Sequence, residues 1–391
     1  MAANEAALHQ RASAELWARP YGRPWLLRLS ALSISLALTL AAAELLVRGV
    51  HPVELHPSDT FLVRPEPGAQ AGSMTLIPAV VVRHTTREFD IWIKTNREGF
   101  RDREFPREKT PGVFRIMALG DSQTFGYGVD AKETYAKVLE RLLNERARRR
   151  VEVINTGVPS TGTAHQLWQM EEKGWAHHPD LVALGFFHND IADNIQQRIY
   201  RIRDGRVVRV ARPAAKAVPM HRVLSNTLPE NDFRQITQIG PVKAPSPPFL
   251  IRHSHLARFV RQSLANIRAA RAEDLKKDWV PARKQTRVYL RELLRQCAAR
   301  KIPLAVVLIP SLQQDAERGK IRTLSEKYRD IMEGVLTADQ VVEVWPAFER
   351  QGFRKMFFPR DMHLTAQGHR LIAEALAERL MKIEPRLTDG G

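Results

Sequence analysis

Three kinds of pattern succeed one another along the chain. From Leu29 to Val47 the sequence LSALSISLALTLAAAELLV is apolar, small or hydroxylic, and Glu44 is its only charge. Nineteen residues at a helical rise of 1.5 Å cover about 28 Å, the thickness of a hydrocarbon core. Residues 52–82 lose this regularity and carry Pro52, Pro57, Pro65, Pro67 and Pro78, which reads as a spacer. Strand-like pieces, Val80–Val82 and Phe89–Ile93, and the turn-rich TNREGFRDREF lead on to about residue 113.

There the pattern becomes regular. Short apolar runs predict strands at Val113–Leu119, Val151–Ile154, Leu181–Phe187, Leu304–Ile309 and Val341–Val344. Helical spacing predicts helices at Glu133–Arg148, Ala164–Trp175, Lys284–Arg300, Ser325–Leu336 and Thr365–Leu380. Strands apolar on both faces and alternating with helices imply a parallel sheet covered on both sides, a doubly wound three-layer sandwich. Between about 191 and 282 the alternation is interrupted by an insertion. Within it, Ile199–Val210 alternates around Asp204-Gly205, a hairpin signal, and Gly240–Pro248 is a proline-rich loop.

Composition narrows the class. The 391 residues are 44% hydrophobic and 26% charged, which is globular. Cys297 is alone, so no internal disulfide forms, and its apolar helical neighbours point to a buried, inert thiol. Lys and Arg number 60 against 43 Asp and Glu, a net charge of +17 that is spread along the chain. That excess suits an arginine-rich surface, an anionic membrane or an acidic polymer. Nucleic acid is disfavoured, because basic and aromatic residues are not interleaved.

Arg11, Arg19, Arg23 and Arg28 precede the apolar stretch, whereas Arg48 and Arg64 are the nearest basic residues after it. Positive-inside logic leaves the N-terminus in the cytoplasm and exports the rest. Ala41 and Ala43 form an A-x-A site, so a cleaved signal peptide competes with an anchor; both export the remainder.

Four polar blocks lie at predicted strand ends or before the last helix: Gly120-Asp121-Ser122-Gln123, Asn155-Thr156-Gly157, His188-Asn189-Asp190 and Asp361-Met362-His363. In wound sheets, chemistry gathers where strands end. A serine hydroxyl needs an imidazole to take its proton, which His363 can do for Ser122. Asp361 can hold the imidazole tautomer. The Ser122 and Gly157 N–H groups and the Asn189 amide are candidate donors to an oxyanion, and glycine at 157 permits close backbone approach. Asp121 and Asp190 read as loop-shaping residues, His188 as a loop histidine and Phe186 and Phe187 as core. His177-His178 and His253-x-His255 lack further ligands at metal spacing and read as surface histidines.

In this order the four blocks resemble the SGNH (GDSL) hydrolase superfamily over about Val113 to Leu380. The resemblance implies a three-layer α/β/α sandwich with a parallel, flavodoxin-like sheet. It implies Ser122 as nucleophile and oxyanion donor, Gly157 and Asn189 as the other donors, and His363 as base. No metal or organic cofactor is implied. The family places aspartate three residues before the histidine; here Arg360 has that position and Asp361 stands two before. This spacing resembles the SGNH-like polysaccharide acetyltransferases. Residues two apart on an extended segment share a face, so Asp361 can still reach His363; a backbone carbonyl is the alternative partner.

The expected organisation is a cytoplasmic tail at 1–24 and a transmembrane anchor or uncleaved signal at 25–48. A linker with a small strand-containing segment follows at 49–110, then an SGNH hydrolase-like domain at 111–391. The expected activity is that of a serine esterase on O-acetyl groups of an envelope or extracellular carbohydrate, at the periplasmic or outer side of the inner membrane. Alternatives are a lipase or lysophospholipase at the membrane surface, an O-acetyltransferase, and a non-catalytic subunit of a polysaccharide assembly system. The basic insertion is either a lid or substrate-binding wall, or a passive elaboration.

Overall fold

The computed structural model describes residues 24–50, 63–65, 73–86, 88–197, 199–210, 253–261, 263–264, 279–317, 319–320 and 323–388. These fall into two compact units: the first helix with residues 254–261, and the remainder. The tail before residue 24 and the Gly240–Pro248 loop lie outside the described residues.

Apolar runs with no polar face cannot settle on a water-facing surface, and α1 (Pro24–Val50) carries such a run. It extends past Leu29–Val47 at both ends. Residues Trp25–Val50 are long and apolar enough to cross a membrane, with a mean hydropathy of 1.9, and Leu27, Leu32, Leu38 and Leu45 are exposed. Residues 255–261, in the same unit, are helical.

In the second unit, β1 (Val63–Pro65) pairs antiparallel with β2 (Met74–Leu76), and β3 (Val81–Thr85) with β4 (Asp90–Lys94). The prolines suggested a spacer as far as residue 82, but packed structure begins by Ser73. Leu76, Ile77, Val80 and Val82 are buried with Phe89, Ile91 and Ile93 in a cluster that includes Phe125, Tyr127 and Val158. Pro78 sits in a turn within this packed segment, with Ala79 at φ 54°.

The main sheet follows from β5 (Phe114–Gly120), β6 (Val151–Asn155) and β7 (Leu181–Phe186), every residue of which is buried. After the hairpin β8 (Tyr200–Arg203) and β9 (Arg206–Arg209) come β10 (Leu304–Leu308) and β11 (Val341–Glu343). The five sheet strands are parallel, in the order β11-β10-β7-β5-β6. The direction of winding reverses between β5 and β7, which opens a crevice at their carboxyl ends. In the hairpin, Asp204 and Gly205 both have positive φ, 51° and 70°, as the type I′ turn requires.

Helices α2 (Ser122–Phe125), α3 (Tyr135–Arg146), α4 (Thr163–Glu172), α5 (Asp190–Gln197), α6 (Trp279–Ala299), α7 (Trp345–Gln351) and α8 (Ala366–Ile383) complete the layers. α3 packs on α8, and α6 on α4 and α5, giving a three-layer α/β/α sandwich. The expected helix at Ser325–Leu336 is instead two short turns, Leu324–Lys327 and Arg329–Met332, on either side of the buried Tyr328. Tyr328 receives a hydrogen bond from Gln314 at 3.0 Å, so tertiary contact interrupts the helix there.

Candidate active site

Asp121 follows β5 and caps α2: its Oδ1 accepts the Gln123 N–H at 2.9 Å. Ser122 is the first residue of α2, where backbone N–H groups have no intrahelical acceptor. Behind it, a side chain at Gly120 would collide with Thr124, its Cβ falling 1.9 Å from Oγ1. The other end of α2 is held by Arg101, which is fully buried and donates to the carbonyls of Phe125, Gly126 and Val129 at 3.0, 2.5 and 2.6 Å. Burial pushes this guanidinium down to about 10, so it stays charged at neutral pH.

The second half of the site is the loop before α8. His363 Nε2 lies 2.8 Å from Ser122 Oγ, and Nδ1 lies 2.5 Å from Asp361 Oδ1. The side chain of His363 is 24% exposed and that of Asp361 4%, so the imidazole faces solvent while its partner does not. The segment is not extended, as the spacing argument assumed. Met362 has φ 68°, its N–H donates to Phe358 O at 2.8 Å, and Phe358 N–H donates to His363 O at 2.9 Å. A tight left-handed turn therefore brings Asp361 and His363 together.

Four further residues shape this loop, none of them assigned a role at the site from the sequence. Glu88 accepts the backbone N–H of Asp361 at 2.7 Å and of Arg360 at 3.0 Å. Gln123 Oε1 accepts the Leu364 N–H at 3.2 Å. Tyr127 packs against the imidazole with ring centroids 4.6 Å apart, and Phe89 backs both Tyr127 and Phe358 at 6.0 and 5.3 Å. Glu88 and Phe89 belong to the β3–β4 hairpin, so the segment before the wound sheet builds one wall of the site.

The expected oxyanion donors are differently situated. Gly157 N–H donates to Asn155 Oδ1 at 3.1 Å, so an oxyanion would have to share it. The reason for glycine also differs: a Cβ at 157 would lie 2.2 Å from Phe125 N, so what approaches closely is α2 of the chain itself. Asn189 is half-buried, and its side chain helps to hold down the Asp121 carboxyl against burial. Asp121 and Asp190 are fully buried. Burial holds Asp121 up at about 6, against the pull of the Gln123 N–H and His363. Burial and the neighbouring Asp121 push Asp190 well above the carboxylate range, though Thr163 hydrogen-bonds it at 3.3 Å.

Beside the Asn189 segment lies a cavity of about 180 Å³ lined by His188, Ile191, Arg283, Gln313, Gln314, Lys327 and Tyr328. Phe186 and Phe187 are buried, as is Cys297, whose thiol burial pushes up to about 12. His177 is not on the surface, as expected, but buried 3.5 Å from Glu98; its partner in sequence, His178, is exposed. Among the described residues no group of three metal-ligating side chains occurs.

A hydroxyl hydrogen-bonded to an imidazole that is oriented by a carboxylate can be deprotonated as it attacks a carbonyl carbon. A sequence model of the GDSL-like lipase/acylhydrolase family matches residues 118–371. No curated protein sequence matches the chain. Among solved structures, a lipase/acylhydrolase from Enterococcus faecalis is similar, with 12% identity, 69% of this chain and 96% of that chain covered, and a TM-score of 0.36. A catalytic mutant of an acetylxylan esterase from Geobacillus stearothermophilus is also similar, at 14% identity, 71% and 97% coverage and a TM-score of 0.34. With its family match spanning all four polar blocks, the chain belongs to the GDSL-like lipase/acylhydrolase family and is a serine ester hydrolase.

Proposed function

We propose that Ser122 is the nucleophile, His363 the general base and Asp361 the group that orients it. The substrate is an ester-linked acyl group, an O-acetyl on an envelope or extracellular carbohydrate. The observation that carries this reading is the relay of 2.8 and 2.5 Å from Ser122 through His363 to Asp361. Ser122 Oγ adds to the ester carbonyl as His363 Nε2 takes its proton. The Ser122 N–H, the Asn189 amide and the shared Gly157 N–H stabilise the oxyanion. Return of the proton expels the alcohol, and water, or a second hydroxyl in a transferase, receives the acyl group. The cavity beside Asn189 offers His188, Gln313, Gln314 and Tyr328, side chains that can hydrogen-bond the hydroxyls of a sugar. The exposed apolar residues of α1 and the arginines before it favour an inner-membrane anchor with the site on the exported side.

A lipase or lysophospholipase is the second reading, favoured by that anchor, which would keep the site at a bilayer. The two part company on acyl length. The purified protein cleaves aryl acetates faster than long-chain aryl esters under the first reading and slower under the second. Ser122→Ala removes activity by about a thousandfold or more, and Asp361→Asn lowers kcat by about two to four orders of magnitude at unchanged fold. Full activity of the alanine variant would refute the assignment.

A further inference from the structure

Glu44 is the single charge in the apolar run of α1. A carboxylate in hydrocarbon is costly unless it is paired, so its partners are informative. One is Arg48, a turn further along, whose Nε donates at 2.6 Å. The others come from 210 to 212 residues away in sequence: Ser254 Oγ donates at 2.8 Å, and the His255 and Leu256 N–H groups each donate at 2.9 Å.

Those two backbone groups belong to the first turn of the helix at 255–261, where N–H groups have no intrahelical acceptor. Ser254 Oγ in turn accepts the Ala257 N–H at 2.9 Å. Glu44 therefore caps a second helix from outside, supplying the negative charge that a helix N-terminus favours. With this set of donors the carboxylate is satisfied, and its side chain is only 19% exposed.

Depth gives the contact its meaning. Glu44 precedes Val47, the end of the apolar run, by about 4.5 Å along the axis. The start of the second helix is thus fixed at the boundary between hydrocarbon and headgroups. That helix exposes Phe259 and Val260 at 39% and 47%, with Arg261 exposed beside them. An aromatic, an aliphatic and an arginine side by side suit the headgroup boundary, where apolar parts enter lipid and the cation meets phosphate.

We propose that residues 254–261 form an interfacial membrane helix, docked on the anchor through Glu44, which seats Phe259 and Val260 in an anionic lipid bilayer. The inference rests on the reading of α1 as a membrane anchor, and it requires α1 to be retained. Cleavage after Ala43 would strip away the turns that hold Glu44 in place.

The test uses the full chain in vesicles of phosphatidylethanolamine and phosphatidylglycerol. Cys297 is buried, so Phe259→Cys, or Val260→Cys if the first folds poorly, carries a unique fluorescent label; ester hydrolysis reports folding. With lipids bearing a spin label near the carbonyl end of the acyl chain, the fluorophore loses more than half its intensity. In Glu44→Gln most of that quenching disappears while the protein still sediments with the vesicles after an alkaline wash. Absent quenching in protein that sediments overturns the interfacial helix and leaves the anchor standing. Protein released by the wash overturns both.

Discussion

Glu88 holds the backbone N–H groups of Asp361 and Arg360, and neither contact touches a reacting atom. What it controls is the turn in which Met362 takes φ 68°. A non-glycine residue there is strained by about 1 kcal/mol or more and persists only if the surroundings hold it. Loss of the Glu88 acceptor frees two N–H groups at the point where Asp361 must meet His363. We expect Glu88→Ala to lower kcat about ten- to a hundredfold with KM little changed, because small misplacements of an orienting group slow chemistry. Glu88→Gln, which keeps one acceptor oxygen, recovers most of the rate. Steady-state kinetics decide the matter, and an alanine variant with wild-type kcat removes Glu88 from the machinery. Nothing in the sequence singles out this glutamate, which stands in the charged run REFD. Ser122 and His363, by contrast, are legible, since each sits in a polar block that interrupts an otherwise regular alternation.

At the scale of elements, β5, β6, β7 and β10 are legible because burial on both faces forces continuous apolar runs. The packed segment from residue 73 to 105 is legible only in part: the strand-like pieces Val80–Val82 and Phe89–Ile93 fall largely within β3 and β4, but their packing does not show in the sequence. Its strands are short and its partners lie far along the chain, so prolines and charges dominate its local pattern. Arg101 is the clearest case: within TNREGFRDREF it looks like a solvated turn residue, yet it is fully buried on three carbonyls at and beyond the end of α2. Short helices such as α5 and α7 escape periodicity for want of turns. Arg101→Met keeps much of the bulk but leaves those carbonyls without a donor. Each such group costs about 1–3 kcal/mol, so the variant is destabilised by about 3 kcal/mol or more and loses activity as the α2 turn loosens. Denaturant unfolding measures the first effect. An Arg101→Met protein as stable as the parent would show that the clamp is dispensable.

For the molecule as a whole, the buried ionisable groups set opposing dependences on pH. His165 and His369 are pushed by burial down to about 4 and about 3, so both are neutral in the fold. An unfolded imidazole titrates near about 6.5. Below that value the unfolded chain takes up protons that the native chain refuses. The stability each histidine contributes is thus complete above about 6.5 and falls by about 1.4 kcal/mol per pH unit as the solution is acidified. Asp121 has the opposite sign. Burial raises it to about 6, above the unfolded value of about 3.9. Its contribution is complete in acid and is lost as pH rises through about 6, leaving a buried charge at neutrality. Asn can still accept the Gln123 N–H, so Asp121→Asn keeps the cap and removes the charge. We expect this variant to be more stable than the parent at pH 8, with the advantage gone by about pH 4. His369→Gln behaves inversely in its slope: its deficit is greatest at pH 8 and shrinks as pH falls, because only the parent loses the histidine contribution. Urea midpoints at three pH values test both arms, and an Asp121→Asn protein less stable than the parent at pH 8 would show that the buried carboxylate is compensated in the native state.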